Sequence, residues 1–273
     1  MPEGPEIRRE ADLLERTLRD RNALLVEFAF PHLQALAQPL QLQKIVGVEP
    51  RGKAMLTHFA NRQTIYSHNQ LYGRWAVLKR DQAPRAGLQI RVAIHTSDAV
   101  AVLYSASEIA VLNSADINGH PYIAKLGVEL LAPSTTIDAV LAQIEQPRFA
   151  RKSLAALLLD QGFLAGIGNY LRSEILFVAR IHPAARIDDL RPAQRQALAR
   201  AVFDLTRQSY RTKGITNDIA LARRLKAAGL AFGRYRHWVF DRTGDACHQC
   251  STAIERIELA GRGLYWCRHC QAG

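Results

Sequence analysis

Asp160-Gln161-Gly162-Phe163-Leu164-Ala165-Gly166-Ile167-Gly168-Asn169-Tyr170 interrupts a chain half whose apolar spacing is otherwise helical. Three glycines in eleven residues break the pattern between helical stretches at Arg151–Leu159 and Asn169–Val178. Further helical spacing covers Ile137–Gln146 and Pro192–Arg211, where Pro192 suits a first helical position. Gly166-Ile167-Gly168-Asn169 therefore leads into a helix. Its glycines allow close backbone approach, and a helix N-terminus offers free N–H groups to an anion. The plain alternative is a turn with Asn169 as N-cap.

Working toward the C-terminus, all four cysteines fall in the last 27 residues, as Cys247-His248-Gln249-Cys250 and Cys267-Arg268-His269-Cys270. Two Cys-x-x-Cys pairs separated by sixteen residues have the spacing of a structural tetrathiolate zinc site. Four thiolates complete a tetrahedron, so one zinc ion is expected there, with no open catalytic position. His248 and His269 are then expected to be exposed or to face phosphate. Arg262, between Gly261 and Gly263, is expected on a mobile tip of the hairpin joining the two knuckles.

Working toward the N-terminus, the pattern changes near Lys125–Thr136, where Gly127 and Pro133 mark a hinge. Before it lie short strand-like runs at Leu24–Phe30, Leu42–Val48, Ala54–Phe59, Thr64–His68, Trp75–Lys79, Leu88–His95, Val100–Tyr104 and Glu108–Leu112. Breaks such as Pro50-Arg51-Gly52 separate them. Many short strands at this spacing suggest an antiparallel sandwich or barrel. Ile7, Ala11, Leu14 and Leu18 mark an amphipathic first helix of roughly five turns. The organisation expected is residues 1–125 as an N-terminal β-sandwich domain, 126–136 as a hinge, 137–234 as a helical domain and 235–273 as a zinc finger.

The chain has a formal net charge of +11. Residues 1–135 hold 15 Lys and Arg against 13 Asp and Glu, and residues 136–273 hold 21 against 12, so +2 and +9. That imbalance favours a polyanionic partner, nucleic acid first and anionic membrane second. No run of eighteen apolar residues and no signal-peptide core occur, which reads as a soluble cytoplasmic protein.

The first residues, Met1-Pro2-Glu3-Gly4-Pro5-Glu6, carry the sharpest chemical reading. With Met1 removed, Pro2 is a secondary amine whose pKa sits near the α-amino value of about 7.7–8. Its adduct with an aldehyde-like carbon is an iminium that cannot lose a proton from nitrogen, a persistent electron sink. Lys53 would need a fall of roughly 2.5 pKa units, or about 3–4 kcal/mol of tuning, to compete as an amine. Glu3 places a carboxyl group beside that amine, where it could move protons. The bland reading of Pro2 and Pro5 is that they start a helix. Asn69-Gln70-Leu71-Tyr72-Gly73 sits between strands. Taken alone, Leu71 and Tyr72 read as core; exposed, they could fill the gap left when a base leaves a duplex. Lys53, after Arg51-Gly52, is placed at a strand start to meet a phosphate.

Together these motifs resemble the Fpg/Nei family of bifunctional DNA glycosylases, on its bacterial endonuclease VIII branch. The resemblance rests on Met1–Ile7, Arg51-Gly52-Lys53, Tyr66–Gly73, Leu157–Gln161 with Ala165–Leu171, and the zinc knuckles with Arg262. It implies an α+β fold: an N-terminal antiparallel β-sandwich with flanking helices, then a helix–two-turn–helix domain and a zinc finger. It implies Pro2 as nucleophile toward C1′, Glu3 as general acid/base and Glu6 as a further active-site carboxylate. Lys53, counted among the catalytic residues, would bind phosphate along with Asn169 and Arg262, and Gln70, Leu71 and Tyr72 would form the wedge. Cys247, Cys250, Cys267 and Cys270 would bind zinc. The implied partner is double-stranded DNA with oxidised bases or abasic sites, met by a monomer at the bacterial nucleoid. The implied chemistry is excision of oxidised pyrimidines, then β,δ-elimination. Gly4, rather than leucine, favours this branch over formamidopyrimidine-type enzymes acting on oxidised purines. A zinc-dependent DNA-binding protein without chemistry is the other alternative. Ala246 and Ser251 replace a proline and a glycine common in the family, and Thr216–Leu230 matches poorly.

Overall fold

The structure, a computed structural model, describes residues 2–272; Met1, whose removal the amine chemistry requires, lies outside them. The chain divides into two compact units. One comprises Pro2 and Glu6–Lys125; the other comprises Glu3–Pro5 and the residues from Leu126 on.

The first unit holds most of helix α1 (Gly4–Leu18), the single turn α2 (Pro31–Gln34) and eight strands. These are β1 (Leu25–Phe28), β2 (Ile45–Arg51), β3 (Ala54–Phe59), β4 (Gln63–His68), β5 (Arg74–Lys79), β6 (Ile90–His95), β7 (Ala99–Tyr104) and β8 (Glu108–Asn113). They form two antiparallel four-stranded sheets, β1-β6-β7-β5 and β2-β3-β4-β8. Val26, Val92 and Leu103 from one sheet and Ile45, Met55 and Ile65 from the other are buried in one core, which makes the pair a sandwich. Ile7, Ala11, Leu14 and Leu18 of α1 enter the same core, as their spacing requires. The helix runs 15 residues, shorter than expected, and Asp20 at φ 65° turns the chain out of it.

Each strand expected from the sequence is present. The Pro50-Arg51-Gly52 break is not: β2 continues through Pro50 to Arg51, with Pro50 opposite Met55. Because β2 is an edge strand, proline's missing N–H costs no ladder bond on the outer side. The chain reverses instead at Gly52 and Lys53, where Gly52 supplies a φ of 59°.

The second unit is mainly helical: α3 (Ile137–Ile144), the turn α4 (Leu154–Leu157), α5 (Asn169–Val178), α6 (Pro192–Arg211), α7 (Ile219–Ala227) and the turn α8 (Phe232–Tyr235). β9 (Val128–Glu129) pairs in parallel with β10 (Leu164–Ala165), and β11 (Glu255–Leu259) forms a hairpin with β12 (Arg262–Trp266). One expected helix is shorter than its spacing suggests, and one stretch without an expectation is helical. Arg151–Leu159 forms only one turn, because Leu159 and Asp160 bond three residues back and the Asp160 carboxylate accepts from Gly162 N, winding the chain into a turn. Thr216–Leu230, unassigned from sequence, contains α7, capped by Asp218 accepting from Leu221 N at 2.8 Å. No helix among the described residues is long and apolar enough to cross a membrane.

One carboxyl group of the sandwich is poised to titrate near neutrality. Burial pushes Glu10, on α1, up from 4.5 to about 7; Asn69, Trp75 and Arg74 oppose that rise and Glu6 adds to it. A carboxyl raised on folding holds its proton more tightly folded than unfolded. Its contribution is therefore full below about pH 4.5 and is lost as the pH climbs through 7. Between pH 5 and pH 8 the melting temperature of the wild type should fall relative to that of Glu10→Gln. A constant gap between the two melting curves would contradict the burial of this group.

Candidate active site and nucleic-acid interface

Glu3 is 2% exposed, which demands partners for a charged side chain. It finds them at the N-terminus of α5. Oε2 accepts from Gly168 N at 2.7 Å and Leu171 N at 3.3 Å, and Oε1 from Tyr170 N at 2.8 Å. These are the free N–H groups that open every helix, and the helix dipole adds a positive potential there. The Gly166-Ile167-Gly168 run explains the fit. A side chain at Gly168 would overlap the Glu3 carboxylate. Gly166 takes φ 100°, and its carbonyl accepts from Gly4 N at 2.8 Å. The anion at this helix end is thus Glu3 itself rather than an external phosphate. Asn169 is not the N-cap; Gly168 is. Pro2, half-buried, is bonded directly to Glu3.

Asn169 and Arg262 belong to one cluster, organised by a residue the sequence reading passed over. Arg172 is fully buried. Its Nη1 donates to Ala155 O (3.0 Å) and Leu259 O (3.2 Å). Its Nη2 donates to Asn169 Oδ1 (2.5 Å), Arg262 O (3.4 Å) and Gly263 O (3.4 Å). Asn169 Nδ2 adds a bond to Gly263 O at 2.8 Å. Burial and the charge of Arg262 pull the Arg172 guanidinium down to about 10. The clamp changes the picture of Arg262. The hairpin is closed by a two-residue turn, Ala260 and Gly261 at φ 53° and 69°, and Arg262 sits inside the ladder opposite Leu259. It is an exposed side chain on a fixed backbone, not a residue on a mobile tip. Spacing carried one signal for Arg172: it lies three residues after Asn169, on the same helix face.

The finger itself is built around Cys247, Cys250, Cys267 and Cys270, whose sulfurs all lie within 4.8 Å of one another. Cys247 Sγ and Cys270 Sγ are 3.9 Å apart, and Cys250 Sγ and Cys267 Sγ 3.4 Å. Four thiolates at about 2.3 Å from a tetrahedral ion stand roughly 3.8 Å apart, so the set suits one structural zinc ion. Ser251, in place of a glycine, adopts φ 64°, the left-handed region the knuckle turn requires. His269 is exposed, whereas His248 is not: it is half-buried with its ring near Trp238, and its Nε2 is buried. Glu174, fully buried on α5, ties down the segment leading into the finger by accepting from Trp238, Val239 and Phe240 N at 2.8–2.9 Å.

In the sandwich unit, Lys53 lies in the β2–β3 turn and donates its backbone N–H to Tyr122 Oη at 2.8 Å. Glu6 pairs with Arg9 at 2.9 Å on α1. Leu71 and Tyr72 are 47% and 77% exposed, which removes the core reading of the Asn69–Gly73 turn. Around that turn stand groups with no role assigned from their spacing. Glu108 accepts from Tyr66 Oη (2.8 Å) and Gln70 Nε2 (3.2 Å), and His68 Nδ1 accepts from Gln70 N (3.1 Å). Burial holds His68 below its ordinary value, with Glu108 opposing and Lys53 reinforcing that shift.

Residues 1–107 match the formamidopyrimidine-DNA glycosylase N-terminal domain and residues 126–220 its H2TH domain. Residues 244–273 match the zinc finger found in FPG and IleRS. Endonuclease 8 of Shigella sonnei is 43% identical over 271 residues, covering 99% of this chain and all of the relative. The chain belongs to the Fpg/Nei family. Endonuclease 8 of Salmonella typhi, 42% identical over 271 residues, again covers 99% of this chain and all of the relative. The fold is shared with Lactococcus lactis Fpg in complex with DNA containing an oxidised pyrimidine: TM-score 0.82, 21% identity and full coverage of both chains. The same enzyme bound to DNA with an AP site superposes at TM-score 0.81, with 20% identity, covering 99% of this chain and all of that one. The α+β architecture of sandwich, H2TH domain and zinc finger read from the sequence is therefore borne out.

Arg172→Ala would leave several carbonyls without a donor, at a cost of roughly 2–4 kcal/mol in chemical denaturation. Arg172→Lys should recover little of it, since an ammonium cannot span the fork. Full recovery by lysine would show that charge alone, not the planar clamp, holds the hairpin.

Proposed function

We propose that this protein is a bifunctional DNA glycosylase and AP lyase of base excision repair that removes oxidised pyrimidines. The observation that carries the reading is the seat of Glu3. A buried carboxylate is held by three N–H donors at the N-terminal end of α5, one peptide bond from a proline that is the chain's second residue. A neutral Ser, Thr or Asn can cap a helix end, so a buried carboxylate beside the terminal proline supports a role in proton transfer there as well as in capping.

With Met1 removed, the Pro2 nitrogen attacks C1′ of the damaged nucleoside. The N–C1′ bond forms, the bond to the base breaks, and the base leaves with its electron pair and a proton. Glu3 is the group placed to move protons during base loss and then to protonate O4′ as the C1′–O4′ bond breaks, which opens the sugar ring and leaves the Pro2 nitrogen and C1′ as an iminium. The resulting iminium draws electron density from C2′, so loss of a C2′ proton expels the 3′ phosphate. A second elimination expels the 5′ phosphate, leaving a one-nucleotide gap. Glu6 contributes a second carboxylate near the terminus along α1. Lys53, Asn169 and Arg262 serve the phosphate backbone: Lys53 and Arg262 through charge, Asn169 mainly by fixing the hairpin that carries Arg262. Gln70, Leu71 and Tyr72 form the wedge, a role supported by the exposure of the two apolar members. The four thiolates hold zinc as a cross-link, since the β11–β12 hairpin has little core of its own. Oxidised pyrimidines are favoured by the resemblance to the endonuclease VIII branch, in keeping with the 43% identical Endonuclease 8 relatives, and by Gly4.

Borohydride reduction during turnover should trap a covalent protein–DNA adduct on the peptide that begins at Pro2. Pro2→Gly should retain DNA binding yet lose most strand cleavage, because a primary amine gives a less persistent electron sink. Undiminished cleavage by Pro2→Gly, or an adduct on another residue such as Lys53, would refute the nucleophile assignment.

A further inference from the structure

The Asn69–Gly73 turn is held in shape by a side chain from outside it. Glu10, on α1, has one oxygen that accepts from both ends of the turn: Asn69 Nδ2 at 2.8 Å and Trp75 N at 3.2 Å. Both donors lie in buried residues, Asn69 at 1% and Trp75 at 3% exposure, so neither can readily exchange this partner for water. Between them the backbone is tightly wound. Gly73 N donates to Asn69 O at 2.7 Å, Gln70 takes φ 51°, and a side chain at Gly73 would collide with the Asn69 backbone. Gln70 is also fixed from the other side by Glu108 and by Ser107 Oγ, which donates to Gln70 Oε1. The two exposed residues, Leu71 and Tyr72, thus project from a loop of which both ends and one shoulder are pinned.

We infer that Glu10 is a positioning residue for base eversion: its carboxylate staples the two ends of the wedge turn to α1 and so holds Leu71 and Tyr72 ready to enter the duplex. The inference rests on the reading of Gln70, Leu71 and Tyr72 as the wedge. Glu10 acts by preorganisation. Two apolar side chains in water have no reason to stay extended, and ordering a five-residue loop on binding would consume binding free energy. A carboxylate oxygen that accepts two N–H groups closes the loop beforehand and leaves its tip free. Glu10 touches no substrate in this scheme and acts only through the turn.

The role has a signature that a merely structural one lacks. A lesion in a single strand leaves no gap in a stack when it enters the active site, so the wedge is needed only on duplex. Single-turnover excision of thymine glycol should be compared between duplex and single-stranded oligonucleotides for Glu10→Ala, Glu10→Gln and Leu71→Ala. Glu10→Ala should lose roughly tenfold on duplex, the scale of one to two hydrogen bonds, with the single-strand rate unchanged. Glu10→Gln keeps an oxygen for both donors and should recover most of the loss. Leu71→Ala should show the same duplex-only defect. If Leu71→Ala shows that defect and Glu10→Ala does not, the staple is refuted while the wedge stands. An equal loss on both substrates by Glu10→Ala, or no recovery by a folded Glu10→Gln, would also refute it. If Leu71→Ala has no duplex-specific defect, the wedge assignment itself falls and the inference with it.

Discussion

The bond set between the Glu3 carboxylate and the first N–H groups of α5 is the constraint on which the rest depends. It accounts for several features at once. It explains why glycine stands at 166 and 168, where side chains would meet backbone or carboxylate. It explains how a carboxylate can be almost wholly buried: the helix end supplies donors and positive potential together. It also fixes the residue adjacent to the proposed nucleophile, so the chemistry of the terminus inherits the rigidity of a packed helix. The core beneath α5 (Leu171, Ile175 and Leu176 against Leu198, Val202 and Leu205) supports that seat.

The same helix organises the second part of the site. From one turn of α5, Asn169 and Arg172 reach the zinc hairpin, and Glu174, one turn on, holds the segment entering it. Helical spacing places residues 169, 172 and 173 on one face, and Ser173 Oγ accepts from Tyr265 N there. The zinc site closes the far end of the finger and Arg172 closes the near end, so Arg262 is presented from a backbone fixed at both. A cationic side chain on a stiff support loses less freedom on meeting a phosphate than one on a free loop.

Much of this was legible in the residues. Strands with alternating or wholly apolar runs, such as Ala54–Phe59 and Ala99–Tyr104, announce themselves because their burial is set by neighbours in the same sheet. The zinc ligands are legible because chelation fixes their spacing. What spacing cannot reveal is a partner distant in sequence. The Glu3 seat joins residues 165 or more apart, and Gly166-Ile167-Gly168-Asn169 reads as a vacant anion site until the internal anion is known. Arg172 and Glu10 look like ordinary polar residues of amphipathic helices, and only tertiary structure shows one buried among carbonyls and the other stapling a turn. Pro50 misled for a related reason: proline breaks a central strand but not an edge, and edge position is a property of the sheet.

The most direct test of the central claim is the ratio of two rates in Glu3→Gln: excision of thymine glycol from duplex, and cleavage of a duplex whose abasic site is already formed. Glutamine keeps one oxygen for the α5 N–H groups but cannot carry the proton or the charge. If Glu3 is held by α5 to serve base loss, excision should fall by about 100-fold or more, the range of general acid–base catalysis, while abasic cleavage falls far less. Equal losses on both substrates, with duplex binding intact, would contradict the account and reduce Glu3 to a group that shapes the terminus.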